Sequence, residues 1–164
     1  MLLNKESIFK KDLENKKMYI TREFDAPVEK VWRCWTEPEL LDQWWAPEPY
    51  KTVTVNMDFQ NGGRWLYYMI SPEGNKHYGR ADYRQITPIK TYSAIDTFCD
   101  EHGNADEQFP GMDWKVEFVS LGNISRVDIV ISFTSIEVME KIIEMGFQEG
   151  FTMAHGNLDK LLAK

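Results

Sequence analysis

The sequence is short of the residues that announce a chemistry. Its 164 residues include three histidines and two cysteines. His77, His102 and His155 stand far apart, with no Cys/His pair at metal-ligand spacing, so no metal site is expected. His102 sits among carboxylates in an acidic loop, and those read as solvated. No Gly-x-Ser-x-Gly elbow occurs. Cys34 falls in a predicted helix and Cys99 beside Asp100 and Glu101, where neighbouring carboxylates disfavour a thiolate, so covalent catalysis is not expected. Gly62-Gly63 precedes a strand rather than a helix and lacks the helix N-terminus of a phosphate loop. No cofactor is called for.

Other absences bound the setting. No apolar run reaches 18 residues, and MLLNKESIFKKDLENKK lacks the apolar core of a signal peptide. Together with two isolated thiols, this gives the expectation of a cytoplasmic protein. Lys and Arg number 19 against 26 Asp and Glu, for a net charge of −7, and no basic stripe is present. Nucleic acid and anionic membrane are therefore not expected as partners.

What the chain does have is ring area. Aromatic residues make up 13% of it, enough for a thick core or a lined cavity. The length suits one domain burying roughly two thirds of its unfolded surface. Residues 1–16 read as an extension with a short polar helix over 4–16, and 17–164 as the domain. The first strand is expected over 17–24. Pro27 then sets up a helix start, with Asp25 or Ala26 as cap. Val28, Val31, Trp32 and Trp35 share its apolar face. Thr36 to Glu39 has the capping-box form and opens a second short helix, which Pro47 and Pro49 end.

Strand signals follow in close order. Val53, Val55, Met57 and Phe59 alternate, Asn61-Gly62 is a hairpin cue, and Trp65, Tyr67 and Met69 share the next face. Segments 77–87, 90–99, 113–121 and 124–134 continue an antiparallel meander around an acidic loop at 100–112. A capping box at Thr134–Glu137 opens a final helix to Ala163, with a stripe of Phe147, Phe151, Ala154, Leu158 and Leu161. The order is β-α-α-β-β-β-β-β-β-α. This is an α+β chain in which about six to seven antiparallel strands curve around a long C-terminal helix.

Several short motifs in this order carry a family resemblance. They are Phe24-Asp25-Ala26-Pro27 with Val31-Trp32, Thr36 with Pro38-Glu39, Trp44-Trp45, Gly62-Gly63-Arg64-Trp65, Gly79, Pro88, and Gly146-Phe147 with Glu149-Gly150-Phe151. With them the chain resembles the SRPBCC (START/Bet v 1-like) helix-grip superfamily, and within it the activator of Hsp90 ATPase (AHSA1-like) family. Trp45-Ala46-Pro47 departs from that family's common Trp-Gly-Pro. The resemblance implies a helix-grip fold with a hydrophobic cavity between the sheet and the C-terminal helix. It implies a fold more than an activity.

The expected cavity lining is Trp44, Trp45, Trp65, Tyr67, Met69, Tyr83, Phe98, Trp114, Phe118, Met145, Phe151 and Met153. His77 is the candidate polar group, among the strand residues His77, Arg80, Asp82 and Asp96. Such a surface suits a small apolar or aromatic ligand. The alternatives are a chaperone-binding module of the Hsp90-activator kind, with loop 100–113 as its surface, and a cavity enzyme of cyclase, dehydratase or hydrolase type. The enzyme would need an inward polar pair that the sequence does not supply. A homodimer is compatible with such a fold.

Overall fold

Alternation in Lys17–Phe24 (β2) sets the inner face of the sheet. Met18, Ile20, Arg22 and Phe24 are buried and the residues between them are more open. The computed structural model describes residues 3–164. Upstream of β2, Ile8–Asp12 (β1) pairs antiparallel with it, from Ile8 opposite Thr21 to Asp12 opposite Lys17. The helix expected over 4–16 is thus replaced by a strand and a turn. Asp12 accepts hydrogen bonds from the backbone and side-chain nitrogens of Asn15 at 3.1 and 2.8 Å, and that local pairing competes with a helix. Phe9 gains an edge contact with the Phe147 ring, 6.4 Å between centroids.

The chain then leaves this edge through two helices, Val28–Thr36 (α1) and Pro38–Leu41 (α2). It re-enters at the opposite edge and meanders back. The strands are Lys51–Met57 (β3), Arg64–Ile70 (β4), Lys76–Thr87 (β5), Thr91–Cys99 (β6), Met112–Ser120 (β7) and Ser125–Ser132 (β8). All pairings are antiparallel, in the order β1-β2-β8-β7-β6-β5-β4-β3. The eighth strand beyond the expected six to seven is β1. Register shifts at Thr54/Asn56 and Tyr83/Ile86 mark bulges, which bend strands locally. Before the first of them Thr52 and Thr54 take the inner face and after it Met57 does, so Val55, expected on one side with Met57, is 50% exposed.

The C-terminal helix is two helices, Ile136–Glu144 (α3) and Phe147–Leu162 (α4). Gly146 separates them at φ 88°, a left-handed conformation that a side chain would strain. Two caps differ from the expected ones. Ser135, not Thr134, caps α3 by accepting from the Val138 N–H. Thr36 caps nothing and donates instead to the Trp32 carbonyl at 2.8 Å.

Helix α1 buries Val28, Val31, Trp32 and Trp35 as its spacing requires. Helix α4 is clamped at its far end by polar contacts. Lys30 Nζ donates to the Leu162 carbonyl at 2.9 Å, and Asn157 Nδ2 to the Ala46 carbonyl at 3.0 Å. Arg22, on the inner face of β2, donates through both terminal nitrogens to Asp159 at 3.0 and 2.6 Å. Beside it His155 is fully buried, with Nδ1 2.6 Å from the Ser7 hydroxyl. Burial, and then the Arg22 charge, press its pKa down to about 3, so the ring is neutral.

The Arg22–Asp159 pair gives a direct test. Asp159→Leu should destabilise the fold by about 3–5 kcal/mol in urea unfolding, because it leaves Arg22 buried and unpaired. Adding Arg22→Met should recover most of the loss. Equal stability of parent and Asp159→Leu would remove the pair from the account of the fold.

Candidate functional site

The inner face of β4, β6 and β7 meets α3 and α4 incompletely, and a cleft of about 260 Å³ remains. The strands contribute Tyr67, Met69, Asp96, Phe98, Met112 and Trp114. The α2–β3 connection adds Trp45 and Pro47, and the helices add Ile142, Met145, Gly146, Phe147, Gly150 and Phe151.

The walls are rings fixed by other rings. Trp45 lies 5.6 Å from Trp65, 6.1 Å from Trp114 and 5.8 Å from Phe151 between centroids. Phe147 and Phe151 stack at 5.4 Å, one helical turn apart, and both present edges to Trp114. Tyr67 stacks on Trp65 at 4.1 Å. Its ring lies across Gly79 on the neighbouring strand, where an added Cβ would come within 2.8 Å of the phenol oxygen. Trp65 is itself anchored, since its indole N–H donates to Thr54 Oγ1 at 3.0 Å and that hydroxyl donates to Asp42 at 2.6 Å.

One lining residue breaks the apolar pattern. Asp96 lies on β6 between Ala81 of β5 and Met112 of β7. It is the one carboxylate of the lining, and no Lys, Arg or His joins it there among the described residues. Burial, and then the like charge of Asp82, raise its pKa from an ordinary 3.8 to about 7, with no hydrogen bond acting the other way. Burial also raises the phenols of Tyr67, Tyr83 and Tyr92 well above their usual range, and the nearby Asp96 adds to each.

Of the residues expected to line a cavity, Trp45, Tyr67, Met69, Phe98, Trp114, Met145 and Phe151 do line the cleft. Trp65 stands behind them. Trp44 is buried against Trp35 and donates its indole N–H to the Cys34 carbonyl at 2.8 Å. Tyr83 and Phe118 belong to a neighbouring ring cluster with Trp32, Phe59 and Tyr92. Met153 is 47% exposed, because two positions past Phe151 is about 200° round a helix. His77 is exposed at the start of β5, 6.0 Å from the Tyr50 ring, in an outer hollow with Asp100 and Asp106. That hollow shares Pro47, Met69, Phe98 and Met145 with the cleft. The polar group inside is therefore Asp96, not His77. Strand parity held the signal, since Asp96 alternates with Phe98, which was assigned to the inner face. Both cysteines are free thiols, and Cys34 is buried. Among the described residues no group of three or more His, Cys, Asp and Glu is placed to hold a metal ion, and no helix is long and apolar enough to cross a membrane.

The profile of the family described as activator of Hsp90 ATPase homolog 1-like protein matches residues 25–163. The chain belongs to this family. Solved structures agree over nearly the whole length. A protein from Arthrobacter aurescens is 33% identical with a TM-score of 0.90, over 95% of this chain and 91% of that one. One from Mycobacterium smegmatis is 29% identical at 0.88, over 96% and 97%. One from Staphylococcus epidermidis is 26% identical at 0.83, over 94% and 93%. No curated protein matches the chain. As a member of the AHSA1-like family it has the helix-grip fold, with an eight-stranded open sheet and C-terminal helices.

In this AHSA1-like chain the Asp96 carboxyl holds its proton more tightly folded than unfolded. Between about pH 4 and about pH 7 the folded state carries the extra proton, so this residue's contribution to stability is lost as pH rises through that window. Asp96→Asn should therefore be more stable than the parent at about pH 8, by on the order of 2–4 kcal/mol. The two should converge below about pH 4. Parallel urea titrations at both pH values check this, and a pH-independent difference would contradict it.

Proposed function

We propose that this AHSA1-like protein binds a small apolar or aromatic molecule in the cleft between the sheet and α3–α4. The observation that carries the reading is the lining itself, apolar side chains on every wall with a single carboxyl between them. Concave, mostly apolar surfaces with few polar groups are the usual form of small-molecule sites. The rings are braced by neighbours outside the cleft, so the opening exists without an occupant. Pre-formed walls lower the ordering cost of binding. Trp45, Trp114 and Phe151 supply flat contact area, and the methionines Met69, Met112 and Met145 adjust to the outline of the guest.

A neutral solvatochromic dye tests the reading. Nile red should bind with an emission blue shift, and Gly150→Leu should weaken it by about tenfold or more by filling the gap between α4 and Pro47. At Gly150 a Cβ would meet Pro47 at an ordinary 3.6 Å, and replacing a helical glycine favours the helix, so the variant should fold. Unshifted Nile red emission, or equal binding by parent and variant, would overturn the proposal.

A further inference from the structure

The acidic group at the floor of the cleft has no partner, whereas the other inward carboxylate does. Asp159 meets Arg22 through two hydrogen bonds. Asp96 meets none among the described residues, and no cation joins it in the lining. A half-buried carboxyl without a cation is costly in its ionised form, and an arriving cation relieves that cost.

Resting on the ligand-binding reading above, we propose that the cleft selects molecules in which an apolar ring carries a basic nitrogen. The ammonium pairs with the Asp96 carboxylate while the ring lies among Trp45, Trp114 and Phe151. The cleft lining around Asp96 suits a cation. On the inner face the titratable neighbours are Tyr67 from β4, Tyr83 from β5 and Tyr92 from β6, whereas Asp82 lies on the outer face of β5, where it pairs with Arg64 at 3.0 Å and Arg80 at 3.2 Å. The β7 lining is Met112 and Trp114, and the α2–β3 connection and helices add no ionisable side chain. No positive group therefore competes for Asp96 within the lining. Indole and phenyl faces attract ammonium groups through their negative π surface. An anionic ligand would meet Asp96 and a chain of net charge −7. A neutral ligand would leave the carboxylate unpaired or require it to keep its proton.

Three probes of similar shape separate the cases, namely 2-(2-naphthyl)ethylamine, 2-ethylnaphthalene and 2-naphthylacetate, each measured by displacement of Nile red. At about pH 8 the amine should bind about tenfold or more tighter than either of the others. Its advantage over 2-ethylnaphthalene should shrink toward about pH 5.5, as Asp96 takes up its proton. Asp96→Asn, shown to be folded by a cooperative urea transition, should lose the preference for the amine. The parent's pH profile stands without any variant. If 2-ethylnaphthalene binds and the amine has no advantage, or the advantage survives Asp96→Asn, the inference falls and the cleft reading stands. If none of the three displaces the dye, both fall.

Discussion

Everything on the inner face is held together at Trp35. This side chain of α1 is 1% exposed and touches the rings of Trp44, Trp45, Phe118 and Phe151. It therefore joins α1, the α2–β3 connection, β7 and α4 at one point. Each such ring pair adds about 0.5–1.5 kcal/mol beyond the area it buries. More important is geometry, because tilted and edge contacts fix the planes of the partners. Trp45 is set between Trp35 on one side and Trp65 and Trp114 on the other, so it stands as a wall rather than collapsing onto the sheet. On the α1 side of this joint the rings pack closely, as Trp32, Phe59, Tyr92 and Phe118 do. The cleft opens on the other side.

The same division governs charge. Toward the C-terminal end of α4, Arg22 and Asp159 satisfy each other and His155 lies neutral beside them. These groups are buried, partnered or uncharged, and that suits a clamp between helix and sheet. Near the start of α4 the only carboxyl in the lining is Asp96, with no such arrangement. Two half-buried acids between sheet and helices, Asp159 on α4 and Asp96 on β6, thus have opposite circumstances. One completes the fold. The other costs the fold something when ionised, and a cost that the structure does not relieve internally is where a ligand can contribute most.

Much of this was legible in the residues. The 0, 3, 4, 7 spacing placed Val28, Val31, Trp32 and Trp35 in the core, and period-two alternation placed Trp65, Tyr67 and Trp114 on the inner face. What local pattern could not supply was tertiary. Thr36 and Glu39 match a capping box, yet the Thr36 hydroxyl finds the Trp32 carbonyl first. Ile8–Asp12 has too little alternation to read as a strand and becomes one because β2 offers an unpaired edge. Met153 looked inward on composition, but the start of α4 after Gly146 fixes the helical phase and turns it to solvent. Asp96 was recognisable from parity with Phe98. Its lack of a partner was not, since that depends on which side chains β5, β7 and the helices bring to it.

The persistence of the cleft also needs a cause, because interiors normally close. A dry void of 260 Å³ would cost about 6 kcal/mol, comparable to the whole stability of a domain. Two features prevent both that cost and closure. The residues that would have to move are large rings with fixed partners, and β5 offers little to fill the space, with Ala81 opposite Asp96 and Gly79 accommodating Tyr67. The rim it shares with the outer hollow at His77 leaves the cleft open to solvent rather than enclosing a dry void. A guest with a cationic donor and a flat ring gains at both ends, by pairing the carboxyl and by covering apolar ring surface.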